Sequence, residues 1–118
     1  MAEAFVNCAR GMMFIMLDPA KVRLARRKEL KAEGRDRKSL LVAWLSEILF
    51  QVDARGWAFG AFEVDELTDL SVRGWGLGEP LDPVRHAVKQ GIKAPTYHML
   101  ELEEKEGGRW TAQVIFDV

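Results

Sequence analysis

The last ten residues, RWTAQVIFDV, run into an acid at Asp117 immediately before the terminal carboxylate of Val118. Two carboxylates so close together repel unless a cation lies between them. Both offer hard oxygen, the donor that calcium, magnesium or manganese prefers. A frayed, solvated terminus is the plainer alternative. Lys93, in GIKAPTY, lies at the entry to the same C-terminal segment, where a lysine is ordinarily surface solvation. His86 stands in LDPVRH and His98 in TYHML. An imidazole titrates near neutrality and ligates metals, yet a lone one in a loop or strand is more often structural or exposed. No nucleophile triad, P-loop, dinucleotide fingerprint or HExxH occurs. GWGLG, from Gly74 to Gly78, lacks the GxGxxG spacing and leads toward Pro80 rather than into a helix, which argues against a phosphate cradle.

These residues need elements to hold them. Phe5, Cys8 with Ala9, Met12, and Ile15 with Met16 recur at three- and four-residue steps, so Ala2 to Leu17 reads as a helix stopped by Asp18-Pro19. Its methionines suit deformable core packing better than a metal set. Val22, Leu24, Leu30 and Ala32 share one parity, which suggests one or two half-buried strands. A second helix follows, with Asp36 or Ser39 as cap and a stripe of Leu41, Trp44 with Leu45, Ile48, and Val52 with Leu49. Gly56 is its stop. From Trp57 the period changes to two: Trp57, Phe59 and Ala61 on one face, Ala58, Gly60, Phe62 and Val64 on the other. Leu70, Val72 and Gly74 mark a partner strand, and GLGEPLDPVRH reads as a turn-rich loop. Gly107-Gly108 then joins strands Tyr97–Glu103 and Trp110–Phe116 into a hairpin. The expected architecture is α+β: a two-layer sandwich with two helices on one face of a mostly antiparallel or mixed sheet.

A chain of 118 residues is one domain, with 48% hydrophobic and 30% charged residues in ordinary globular proportion. Cys8 is the single cysteine, so neither an internal disulfide nor a zinc cluster is available, which suits a reducing cytoplasm. No apolar run approaches bilayer length, and no signal peptide pattern opens the chain. Net charge is −1, but residues 21–38 carry nine Lys/Arg against three Asp/Glu, a local +6 set against −7 elsewhere. Such polarity steers toward a nucleic acid or a charged protein surface, unless the basic stretch is only a solvated face.

AEAFVNCARGMMFIM, LLVAWLSEILFQVDARGWAFGAFEV, WGLGEPLDPVRH, IKAPTYHMLEL and WTAQVIFDV, in that order, resemble the archease family over essentially the whole chain. The resemblance implies a small, non-catalytic α+β protein that activates an RtcB-type RNA ligase in tRNA splicing and RNA repair. That ligase uses GTP and manganese and passes through a guanylylated histidine of its own, and archeases are thought to promote this step. A chaperone-like modulator of a tRNA methyltransferase is another role proposed for the family. The resemblance also assigns Asp117 and the Val118 carboxylate to a divalent metal site, Lys93 to activation and His86 to a recurrent loop position. Archeases normally begin with a strand bearing a motif like HTADIGI, whose aspartate supplies a further ligand. This sequence starts at MAEAF, already within the first helix, and is N-terminally short. Met1 falls mid-pattern with no capping residue before it, which favours a start codon assigned too far downstream. A shortened product and a genuine variant are the other possibilities. Two rival functions stand beside the activator: a metal-dependent hydrolase using Asp117, His86 and Lys93, and an RNA-binding module built on Lys21–Lys38. The hydrolase lacks a convincing general-base pair, and the module lacks an RNA-binding motif.

Overall fold

A computed structural model describes all of residues 1–118. It contains α1 (Ala2–Met16), β1 (Arg26–Glu33), α2 (Arg37–Asp53), β2 (Trp57–Leu67), β3 (Ser71–Pro80), β4 (Ala94–Pro95), β5 (Glu101–Glu104), β6 (Trp110–Gln113) and β7 (Phe116–Asp117), with short 3-10 turns at Pro19–Lys21 and Glu106–Gly108. The expected α+β class is what the chain adopts. Its strands divide into a three-stranded antiparallel sheet, ordered β1-β3-β2, and a C-terminal hairpin in two ladders, β4-β7 and β5-β6.

Each helix starts and stops for local reasons. Phe5, Ala9, Met12, Met13 and Met16 are buried along α1, as its three- and four-residue steps require. At the start of α2, the Asp36 carboxylate accepts from the Ser39 N–H at 2.8 Å, while Ser39 Oγ accepts from the Asp36 N–H at 3.1 Å. Asp36 is therefore the cap and Ser39 its reciprocal partner, and two of the helix's unpaired donors are satisfied. Gly56, at φ +68°, ends the turn after α2 and donates its N–H to the Val52 carbonyl.

The core lies between the two helices and the inner face of the sheet. Trp44, Phe5 and Phe59 are fully buried, and the Trp44 indole N–H donates to the Phe5 carbonyl at 3.1 Å. That bond ties α2 to α1 where an unpaired N–H would be costly. The alternating glycines of GWGLG acquire a role here. Gly74, Gly76 and Gly78 all face inward, and a methyl group on Gly76 would sit 2.5 Å from the Phe59 ring. The stretch is a bare sheet face that admits the Phe59 ring at Gly76 and lets the β2 backbone approach closely at Gly74 and Gly78.

Several expectations need correction. The turn-rich loop begins at Leu81, because Gly74 to Pro80 belongs to β3. Strand pairing across from β2 skips Gly60 and Asp65, and the bulge at Gly60 shifts the alternation so that Phe59 and Phe62 both face the core. Val22 and Leu24 lie outside any strand; Val22 is buried and Leu24 is exposed. The first hairpin strand does not begin at Tyr97. Residues 97–100 interrupt the ladder between β4 and β5.

Candidate functional site

The carboxylate end is placed by a short ladder. Ala94 pairs with Asp117 and Pro95 with Phe116, and the Lys93 N–H donates to the Asp117 carbonyl at 2.7 Å. Lys93 and Asp117, 24 positions apart in sequence, are thus backbone neighbours. Their side chains go to opposite faces, since Asp117 shares the outward side of Ala94 while Lys93 shares the side of buried Pro95. Continuing that register places Val118 opposite Lys93. On its side of the ladder, Lys93 lines a cleft of about 260 Å³ with Ser46 and Asp53 of α2. Asp53 is a residue that sequence reasoning passed over, because it reads only as the last turn of a helix.

Neither the Asp117 carboxylate nor the Lys93 ammonium takes part in an ion pair or side-chain hydrogen bond. Both remain available to an outside group. As donors for a divalent ion, the two C-terminal carboxylates have the right chemistry, hard and anionic. Their number is insufficient: no group of three or more His, Cys, Asp or Glu side chains converges anywhere in the chain. Calcium takes about six to eight oxygens and magnesium about six, so the residues present do not form a complete metal site.

His86 is held elsewhere. It is fully buried, and its Nδ1 accepts the Asp82 N–H at 3.0 Å while Nε2 faces Glu79 Oε2 at 2.8 Å. A nitrogen that accepts a backbone N–H carries no proton, so the ring is the Nε2–H tautomer and donates to Glu79. Glu79 also accepts from the Arg23 N–H at 2.9 Å and from Arg85 Nη2 at 2.7 Å. The bond from the Arg23 backbone, then those from His86 and Arg85, hold the Glu79 carboxyl down at about 2. The loop is fastened to α1 as well, since the Asp18 N–H donates to the His86 carbonyl at 2.9 Å. His86 therefore pins the 81–90 loop to β3 and the end of α1. Glu79 was missed because GLGEP reads as a turn. The signal was an acid seven residues before a histidine, with arginine beside it.

None of the hydrogen bonds of His86 reaches Lys93 or Asp117, so the three groups a hydrolase would need are not assembled. His98 is exposed in the interruption of the hairpin. No helix is long and apolar enough to cross a membrane. Two clefts, of about 490 and 430 Å³, flank α1 and share Asn7 and Gly11 as lining. One is walled by Phe59, Gly60 and Phe62 of β2, the other by Trp110, Thr111 and Ala112 of β6.

Comparison with known proteins bears on the whole of this arrangement. The family model described as the archease protein family (MTH1598/TM1083) matches residues 1–118. Protein archease of Methanopyrus kandleri is 38% identical over 119 residues, covering 98% of this chain and 84% of the relative. Protein archease of Pyrococcus furiosus is 35% identical with the same coverage. The solution structure of protein 1598 from Methanobacterium thermoautotrophicum superposes with a TM-score of 0.69 at 31% identity, covering 99% of this chain and 84% of that one. Profile, pairwise identity and three-dimensional shape agree over the full length described, and the chain belongs to the archease family.

Proposed function

We propose that this protein is a non-catalytic accessory factor that raises the turnover of an RtcB-type RNA ligase, in tRNA splicing or RNA repair, by promoting guanylylation of the ligase. Membership of the archease family supports the ligase context. The observation that carries the mechanistic part is the C-terminal ladder, which makes Asp117 and Lys93 backbone neighbours and leaves both of their charged groups without partners. In this reading Asp117 and the terminal carboxylate lend oxygen ligands to a calcium, magnesium or manganese ion whose coordination is completed by donors from outside the chain. Lys93 offsets phosphate charge close by. His86 serves by holding its loop in place. The separation of His86 from Asp117 and Lys93 counts against the hydrolase.

The test is multiple-turnover RNA ligation with limiting ligase, GTP and manganese, with and without the chain. Unaltered chain is expected to raise the number of turnovers per ligase, and Asp117→Ala to lose most of that gain while keeping its circular dichroism spectrum. Equal stimulation by both chains would remove the carboxylate end from the mechanism. No stimulation by the folded, unaltered chain would overturn the activator reading. Calorimetric titration of calcium, magnesium and manganese into the chain alone examines the ion separately, with weak or absent binding expected from two ligands.

A further inference from the structure

We infer that the turn interrupting the C-terminal hairpin, which exposes Tyr97 and Met99 just ahead of the acidic strand Glu101–Glu104, is the surface that docks a basic protein partner: the positively charged, RNA-handling face of the ligase itself. The inference rests on the activator reading and says where and to what the chain attaches.

Alternation along residues 110–117 sends Thr111, Gln113, Ile115 and Asp117 outward, all exposed, while Trp110, Ala112, Val114 and Phe116 are half-buried. Across from them the ladder is interrupted, and the interruption is a built feature. Leu100 is buried and donates its N–H to the Tyr97 carbonyl at 3.2 Å, closing a tight turn. Met99 takes φ +53°, a left-handed conformation that is rare for a long L side chain. Gln113 Nε2 reaches across from β6 to hold the Met99 carbonyl at 3.0 Å. The outcome is that Tyr97 and Met99 are held in water at 58% and 62% exposure, immediately before the exposed acids of Glu101–Glu104. Backbone strain held in place by surrounding bonds points to use of the residue it displays. Tyrosine and methionine are also among the side chains enriched at the centres of protein interfaces.

The charge around this centre selects the partner. Glu101, Glu103 and Asp117 share the outward face, and the terminal carboxylate follows them. Lys105 pairs with Glu103 at 2.6 Å, which leaves Glu101 and Asp117 unpaired. An RNA backbone would be repelled by such a rim. A protein surface with Lys or Arg around an apolar pocket would be drawn to it. Proteins that bind nucleic acid carry such basic surfaces, so the docked chain and the RNA substrate contend for one face of the ligase.

The test uses the full chain and an RtcB-type ligase, with binding followed by surface plasmon resonance and turnover by ligation. Tyr97→Ala/Met99→Ala is expected to weaken binding at least tenfold, the loss typical of a hot-spot pair. Glu101→Lys should slow association and flatten its dependence on salt. Val84→Ser, which alters an apolar side chain 90% exposed on a different loop, should change nothing. Met99→Gly relieves the left-handed strain, so it should melt no lower than the unaltered chain yet bind more weakly. Unchanged binding and stimulation by folded Tyr97→Ala/Met99→Ala would overturn this surface while leaving the activator reading intact. Failure of the unaltered chain to stimulate the ligase would overturn both. Excess RNA substrate should displace the chain from the ligase; a ternary complex with undiminished affinity would refute the shared face.

Discussion

Replacing Trp44 with phenylalanine probes the join between the two helices. The indole is fully buried, donates to the Phe5 carbonyl at 3.1 Å and packs with its ring centroid 6.5 Å from that of Phe5. Removing the pyrrole edge forfeits about 40 Å² of buried apolar surface, or about 1 kcal/mol. The void left behind adds about 1 kcal/mol, because a packed core collapses only in part. Loss of the hydrogen bond adds roughly another 1 kcal/mol. The sum is about 3 kcal/mol, a large share of the roughly 5–15 kcal/mol that a domain has in total. For a chain of this size it corresponds to a fall in Tm of roughly 10 °C. Urea unfolding followed by circular dichroism at 222 nm is the suitable assay, since a change in tryptophan content would confound fluorescence. A loss below about 1 kcal/mol at unchanged denaturant slope would refute the claim that indole and carbonyl close this part of the core.

Two further outcomes follow from the titratable groups. Glu79 has its carboxyl lowered from the ordinary 4.5 to about 2, so its contribution to stability is fully present above about 4.5 and drains away as pH falls toward 2. Melting temperature measured from pH 6 to pH 2 should show that acid limb, and Glu79→Gln should flatten it; an unchanged limb would detach Glu79 from the folded state's acid sensitivity. Burial raises the Cys8 thiol to about 11, so it holds far less reactive thiolate at pH 8 than a free cysteine. Alkylation by iodoacetamide should therefore run about a hundredfold slower in the native chain than in urea; comparable rates would show the thiol to be open.

Much of the frame was legible because periodicity reports burial directly. Phe5, Met12 and Met16 on α1, and Leu41, Trp44 and Ile48 on α2, occupy the buried positions their spacing implies. The misreadings share a cause. Glycine at Gly74, Gly76 and Gly78 signals a turn when composition alone is considered, whereas here it makes room at Gly76 for the Phe59 ring and at Gly74 and Gly78 for the β2 backbone, a requirement invisible along one strand. The bulge at Asp65 breaks the period-two pattern without any local mark, whereas the one at Gly60 is marked by its glycine. Of the candidate site, Asp117 and Lys93 could be named but not joined, because pairing between residues 94 and 117 is a long-range event. His86 was conspicuous as a possible functional group, and its burial against Glu79 depends on how the loop closes over β3.

No strand of the C-terminal hairpin is hydrogen-bonded to the three-stranded sheet; the hairpin packs against α1 and α2. The residues that carry Asp117, Lys93 and Tyr97 therefore have the makings of a separate cooperative unit, able to open while the rest stays folded. Native-state hydrogen exchange should resolve it. Amides of β3, paired on both sides, would exchange only through global unfolding, whereas those of β4 to β7 would exchange through a smaller opening with its own free energy. A partner that clamps the hairpin would then gain specificity from ordering it, and the amides of residues 93–117 would slow selectively on binding.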